Sequence, residues 1–448
     1  MLISEELYSY YVEKIRFKGN IKLRWLRKFI TPLRIIKSML VIGLSCTFAL
    51  SGTAFSAGSV SQALTMDQVL QMAFANNPDL AAAQWEIGIT QGDRQQASLI
   101  PNPELSWEAE DTRRNSRTTT VMINQPIELG GKRGARIEVA SRAQDAAEIE
   151  LERKRNALRA DVIQAFYNTS TAQQRLLLSR QSLELAQRGL HVAQGRISSG
   201  KSSPVEGTRA EVQLSEVRLE LKRAERDEAN AYQQLARVMG VPLPAFASVS
   251  DSSQPMPTVP EPSLLLNRIG QTAELRLAKL QIDQREASLG LEKAQRIPDL
   301  TVSLGSQYDE RERERVNVVG LSMPIPLFNR NQGNVLAAAR RTDQARDLRN
   351  ASELRLRTEI QTTLAQWNTA NTEITSFNQT ILPAAQSAVD TATRGFEMGK
   401  FNFLDVLDAQ RTLISARGQY IHAIAEATDA WVRIERIFGD VDKLTHTP

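Results

Sequence analysis

The apolar residues of the chain recur with two different spacings, and both spacings occur in each half. Residues 104–110 and 120–127 alternate between apolar and polar side chains, which predicts two β-strands joined by a polar loop. No proline follows until Pro204, so the sequence permits one helix of about 60 residues, roughly 90 Å long. Leucines and Ile197 recur every seven residues in this stretch, as in a coiled coil.

The second half repeats this plan. Ile297-Pro298 matches Ile100-Pro101, and alternation over residues 300–305 and 319–325 predicts a second hairpin. A displacement of 199 positions pairs Leu183 with Leu382, Leu190 with Val389 and Arg218 with Arg417. The chain is therefore predicted to contain two copies of one unit.

The repetition also predicts the segment boundaries. The first repeat is expected at residues 58–240, with a β-hairpin at 103–127 and a helical-hairpin tip at 198–206. A proline-rich linker at 241–263 leads to the second repeat at 264–448, with a β-hairpin at 299–325 and a tip at 396–408.

Residues 1–57 are predicted to be an export signal peptide. Nine Lys and Arg precede an apolar run of about 12 residues, which is short of the ~20 needed to span a bilayer as a helix. The alternatives are an N-terminal membrane anchor or lipidation at Cys46, the only cysteine of the chain. Residues 1–57 carry a net charge of +6 against +4 for the whole chain, which leaves −2 for the rest. The basic balance therefore does not indicate nucleic-acid binding.

The predicted strands have an unusual requirement. Strands of about 10 residues are long enough to cross a bilayer, but four strands cannot close a barrel, and open sheet edges are not tolerated in lipid. The predicted fold class is therefore an α+β membrane protein in which several chains pool their strands. Three chains would give a 12-stranded β-barrel, and the long helices would project away from it as a bundle. The alternative is a structural coiled-coil protein of the periplasm.

Residues 399–410, residues 76–80 and the duplicated plan resemble the TolC family of outer-membrane efflux factors. Residues 127–133 and 324–328 more narrowly resemble its heavy-metal branch, the CzcC-like proteins. The resemblance implies a homotrimer whose 12-stranded β-barrel lies in the outer membrane lipid and continues into a periplasmic extension, a tunnel of long coiled-coil helices. It also implies two partners, a periplasmic membrane-fusion adaptor and an inner-membrane RND pump. The implied function is passive exit of heavy-metal cations of the cobalt, zinc, cadmium, nickel and copper class, and the alternative cargo is organic drugs or toxins.

Asp405 and Asp408 lie one turn apart on a predicted helix and share a face. At a three-fold axis each would form a ring of three like charges, which favours cations and resists closure. The resemblance places acids at these positions in the periplasmic constriction, and Glu206 is the counterpart in the first copy. The alternative is that acids at a helix N-terminus only complement the helix dipole.

Gly200, Lys201, Gly399 and Lys400 form the predicted tips, and we expect these tips to meet the adaptor. The alternative is a turn without a partner. No catalytic or metal site is predicted, because His191, His422 and His446 are far apart and no nucleophile or phosphate-binding motif is visible. The chain is therefore not expected to be an enzyme or to bind a cofactor.

Overall fold

A computed structural model describes residues 63–111, 113, 115–201, 203–244, 246–250 and 259–441. The predicted export signal lies outside the described residues, as does part of the predicted linker. The first half contains α1 (Met66–Asn76), α2 (Pro78–Ala97), β1 (Glu104–Glu110), β2 (Thr118–Ile127), α3 (Lys132–Ser198) and α4 (Pro204–Val238). The second half contains α5 (Pro262–Arg268), a 3₁₀ turn (Ile269–Gln271), α6 (Ala273–Ala294), β3 (Leu300–Asp309), β4 (Glu314–Ser322), α7 (Gln332–Ser376), a π-helical turn (Phe377–Ile381), α8 (Leu382–Glu397) and α9 (Phe403–Phe438).

Two helices of the second half are interrupted where the sequence predicts continuity. A single helix was expected from residue 262 to 295, but it breaks at Thr272, whose side chain accepts a hydrogen bond from the N–H of Leu275 and caps α6. The long helix expected from residue 334 to 398 contains the π-helical turn. Pro383 follows this turn, and its missing N–H and its ring are incompatible with regular α-helical bonding to the preceding turn.

The four strands form one antiparallel sheet in the order β1-β2-β3-β4. This is the four-strand sheet that the alternating residues predicted, although β1 has only 7 residues and the others have 9 or 10. The return strand was expected to reach residue 325 and instead ends at Ser322. Pro324 has no N–H to donate to a strand ladder, which explains the earlier end.

Next to the sheet the helices pack in the same order as the strands, whereas towards the tips each helix packs on different neighbours. Next to the sheet, α2 packs on α3, α3 on α6, and α6 on α7. Towards the tips, α4 packs on α3, α3 on α9, and α9 on α8. The outermost helices are therefore α2 and α7 beside the sheet, and α4 and α8 beside the tips.

The junction between sheet and helices is held by charged side chains. Lys132 pairs with Asp299 at 2.7 Å, which ties the start of α3 to the start of β3. Arg133 and Arg136 donate to the backbone carbonyls of Ser98 and Leu99, at 2.6 and 3.2 Å. Since carbonyls at the end of a helix have no intrahelical partner, these two arginines also satisfy the C-terminal end of α2.

Buried apolar residues gather where the short helices meet the long ones. Val69, Leu80 and Leu235 belong to a core that joins α1 and α2 to α3 and α4. Leu265, Ile360 and Ile434 belong to the equivalent core that joins α5 to α7 and α9. Among the residues that the structure describes, none of the helices combines the length and the apolar character needed to cross a bilayer.

Candidate functional site

The two helical-hairpin tips have the same backbone structure. Gly200 has φ +69°, and its N–H donates to the carbonyl of Ile197 at 2.9 Å. Gly399 also has φ +69° and donates to the carbonyl of Phe396 at 2.9 Å. The next residue donates further back in each case, Lys201 to Arg196 and Lys400 to Gly395, both at 2.8 Å. These two backbone hydrogen bonds form the Schellman motif, which explains why both tips carry a glycine with positive φ. The lysine that follows is exposed at both tips.

The three predicted constriction acids line one cavity. It has a volume of about 860 Å³ and lies just above the tips, between the end of α3 and the starts of α4 and α9. Glu206 is half-buried, whereas Asp405 and Asp408 are exposed. The structure therefore brings together acids that are about 200 positions apart in the sequence.

Asp405 and Asp408 differ in their local roles. The carboxylate of Asp405 accepts a hydrogen bond from the N–H of Asn402 at 2.8 Å, and the Asn402 side chain reciprocates as the N-cap of α9. Asp405 therefore does stabilise the N-terminus of its own helix, which was the alternative explanation for an acid at this position. Asp408 lies one turn further into the helix, beyond the cap.

Three arginines line the same cavity, and sequence reasoning missed all of them: Arg196, Arg209 and Arg411. The Arg411 guanidinium donates to the side-chain carbonyl of Gln213, which joins α9 to α4. Arg417, two turns further along α9, approaches Gln181 of α3 and Gln386 of α8 at 3.4 and 3.5 Å. The contacts with Gln213 and Gln181 join helices from different repeats, and the contact with Gln386 joins two helices of the second repeat, so no spacing within one helix indicates them.

Glycines and small residues bring the helices close together near the cavity. A Cβ on Gly189 would lie 3.2 Å from Leu407, and a Cβ on Gly207 would lie 2.8 Å from Ile197. The Phe401 ring lies directly on Gly395 inside the second tip. The turn of the second tip therefore packs against its own helix through an aromatic contact.

The sheet has two chemically different faces. One face carries large apolar side chains that are exposed, including Trp107 (68%) and Leu321 (71%), and its central row runs across all four strands. The members of this row are Leu105, Ile123, Leu304 and Val319. The opposite face carries mostly polar side chains, together with Val316 and Val318, and five carboxylates but no Lys or Arg; the one arginine of the strands, Arg315, lies on the apolar face. These carboxylates belong to Glu104, Glu108, Glu110, Asp309 and Glu314.

The histidines do not form a metal site in the part of the chain that the structure describes. His191 lies on α3 and His422 lies on α9, 3.5 Å from Glu426, while His446 is outside the described residues. No group of three or more His, Cys, Asp or Glu side chains among the described residues is arranged to hold a metal ion.

Comparison with known proteins defines the class to which this architecture belongs. The sequence pattern of the family described as outer membrane efflux protein matches residues 69–241 and 266–440, one match in each repeat. The chain belongs to this family. It is an outer-membrane efflux channel protein with a periplasmic helical extension, and the family consists of channels rather than enzymes.

Individual relatives agree with this assignment. The chain is 39% identical over 376 residues to the cobalt-zinc-cadmium resistance protein CzcC of Cupriavidus metallidurans, covering 84% of this chain and 90% of CzcC. It is 26% identical to the nickel-cobalt-cadmium resistance protein NccC of Alcaligenes xylosoxydans xylosoxydans, covering 70% and 72%. The crystal structure of the Campylobacter jejuni CmeC outer membrane channel is similar in fold, with a TM-score of 0.70 at 15% identity, covering 85% and 88%.

Proposed function

We propose that three copies of this chain form a passive exit duct for heavy-metal cations through the outer membrane. The observation that carries the proposal is the sheet, which has one apolar and one acidic face and two open edges, β1 and β4. Exposed strand edges are not tolerated in lipid, so the sheet requires partner strands. Three four-stranded sheets give a closed 12-stranded barrel with lipid outside and an acidic wall inside.

The helices beside the sheet have outer faces that suit the same assembly. Trp85 and Ile89 of α2 are 75% and 56% exposed, and Leu336 and Leu354 of α7 are 60% and 69% exposed. The helices between them, α3 and α6, have no exposed large apolar residue beside the sheet in the described part of the chain. Since α2 and α7 flank this layer, a cyclic assembly brings α7 of one copy against α2 of the next and covers these residues.

The cargo is assigned from chemistry and from relatives. CzcC is named as a cobalt-zinc-cadmium resistance protein and NccC as a nickel-cobalt-cadmium resistance protein, and an acidic inner wall favours passage of cations. Energy and selection then come from an inner-membrane RND pump, which a periplasmic membrane-fusion adaptor links to this chain.

The gate of the duct is proposed at the cavity above the tips. In a trimer the carboxylates of Asp408, Asp405 and Glu206 form rings around the axis at the periplasmic end. The like charges within each ring repel one another and resist close approach of the three chains. Asp408 is the main candidate, because the carboxylate of Asp405 already caps α9. The exposed Gly200-Lys201 and Gly399-Lys400 tips are the proposed adaptor-docking points.

The cargo is tested by deleting the gene in its host and measuring growth inhibition. Loss of the duct is expected to raise sensitivity to divalent cobalt, zinc, cadmium or nickel at least several-fold, and to leave sensitivity to organic antibiotics unchanged. Complementation with the intact chain should restore resistance. The reverse profile, with drug sensitivity alone, would assign organic cargo instead.

The gate is tested by recording single channels in a planar bilayer. The Asp405→Ala, Asp408→Ala double variant removes the repulsion between the carboxylates and their attraction for cations, so it is expected to let the periplasmic end close more tightly and to lower the cation conductance. Asp405→Ala alone is the matched control, because it removes the helix cap but keeps the Asp408 ring. An unchanged conductance in the double variant would count against the gate.

A further inference from the structure

The internal repeat makes it possible to derive how the open edges of the sheet meet. Within the chain, β2 of the first repeat pairs with β3 of the second. In a ring of copies, β4 of one chain meets β1 of the next, and β4 and β1 are the repeat equivalents of β2 and β3. The seam inside the chain is therefore a template for the seam between chains.

The correspondence between the strands of the two repeats can be checked against the residue pairs observed in the two hairpins. Ile297-Pro298 is displaced by 197 positions from Ile100-Pro101, and Pro324 by 198 from Pro126. Applied to the pair Glu104↔Asn124 of the first hairpin, these displacements yield Thr301↔Ser322, which is a pair of the second hairpin. The two displacements are therefore consistent with both hairpins.

From this template we propose a specific register for the seam between two copies of the chain. The pair Ile123↔Leu304 maps onto Leu321 of one copy opposite Trp107 of the next. The neighbouring pairs that follow from the same displacements are Val319 opposite Ala109 and Gly320 opposite Glu108. This register rests on the trimeric assembly of the proposed function and specifies its interface.

The faces of the strands agree with this register. A shift by one residue would place apolar side chains on the acidic face. In the proposed register, Leu321, Val319, Trp107 and Ala109 all lie on the apolar face. The register therefore continues both the apolar face and the acidic face without a break from one copy to the next.

A second agreement concerns the glycines of the two seams. Gly305 lies opposite Met122 inside the chain, and a Cβ on Gly305 would collide with the Met122 side chain. In the proposed register the equivalent pair is Gly320 opposite Glu108, another long side chain, with the glycine now in place of Met122 and the long side chain in place of Gly305. Each seam thus has a glycine that makes room for a long side chain on the polar face.

The register is tested by disulfide cross-linking, for which the chain is suited because its only cysteine, Cys46, lies in the predicted signal peptide. The full chain is purified in detergent with paired substitutions, Ala109→Cys with Val319→Cys on one face and Glu108→Cys with Gly320→Cys on the other. Copper–phenanthroline takes two electrons from each pair of thiols, which lose two protons and form one S–S bond. Residues directly opposite have Cβ atoms about 5 Å apart, close to disulfide geometry.

The matched control is Ala109→Cys with Leu321→Cys, a diagonal pair whose separation of about 7–8 Å is too long for a disulfide. The direct pairs are expected to produce several-fold more cross-linked trimer than the diagonal pair on a gel without reductant, and dithiothreitol should reverse this. A stronger cross-link in the diagonal pair, or no cross-link in a particle with trimeric mass, overturns the register and leaves the trimer intact. A monomeric mass instead contradicts the proposed function itself.

Discussion

Glycine at the tips illustrates how a single residue sets local structure. Gly200 and Gly399 both have φ +69°, a conformation that costs a residue with a side chain roughly 1 kcal/mol or more. We expect Gly399→Ala to weaken the tip, which hydrogen exchange at the Lys400 amide would detect as faster exchange. The control is Gly195→Ala, a helical position where an added Cβ meets nothing within 4 Å. Equal exchange in the two variants would contradict this account.

Glu435 is a buried acid whose protonation affects the stability of the fold. Its side chain is 0% exposed, and its carboxylate accepts from Arg159 at 2.9 Å and from the N–H of Val441 at 3.2 Å. Burial raises the pKa of Glu435, Arg159 and the Val441 N–H partly offset this rise, and Asp440 adds to it. An acid whose pKa is higher in the folded state is most favourable to the fold when protonated.

This raised pKa predicts a direction for stability against pH. Below the unfolded pKa of about 4.5 the contribution of Glu435 is fully present, and it is lost as the pH rises through the folded pKa. We expect thermal unfolding midpoints of the wild type to fall relative to those of Glu435→Gln as the pH rises above about 4.5. If the wild type instead gains stability relative to the variant, the Arg159 ion pair outweighs burial.

At the scale of elements, the side chain of Asn77 connects two helices of the first repeat. Its side-chain oxygen accepts from the N–H groups of Asp79 and Leu80 at 2.9 and 3.1 Å, and its NH₂ donates to the carbonyl of Val238 at 3.2 Å. One buried amide therefore satisfies the start of α2 and the end of α4 at once.

Removal of the Asn77 side chain is expected to lower the free energy of unfolding. Asn77→Ala loses the helix cap and leaves the Val238 carbonyl without this bond, together worth about 2 kcal/mol. Thermal or chemical unfolding in detergent would measure the loss of stability. Asn76→Ala, an exposed neighbour, is the control and is expected to have little effect. A similar stability for both variants would show that the hydrogen bonds of the Asn77 side chain do not stabilise the fold.

The sequence predicted most elements because their signals are local. Alternation marked β1 and β3, and the Asn77-Pro78 break was visible as a capping residue followed by proline. The break at Thr272 was missed because no proline accompanies it, and the π-helical turn was missed because Pro383 lies inside an otherwise helical pattern. The arginines of the cavity were missed for a different reason. Their positions depend on how α3, α4 and α9 pack, which no spacing within one helix records.

At the scale of the whole molecule, the exposed outer faces of α2 and α7 are the feature that a single chain does not explain. Trp85→Glu would place a charge in the proposed contact with α7 of the next copy, and burial of an unpaired charge is strongly unfavourable. We expect this variant to lose trimer in detergent, as measured by gel filtration. Trp85→Phe, which keeps an apolar ring, should still assemble. Normal assembly of the glutamate variant would exclude Trp85 from the interface.

One chain supplies only part of a closed barrel wall: its sheet has an apolar face that needs lipid and two edges that need partner strands. The most direct test is the mass of the protein component of the purified detergent particle, measured by light scattering coupled to gel filtration. A mass of three chains is predicted. A mass of one chain, or a particle that is stable and soluble without detergent, would contradict the account.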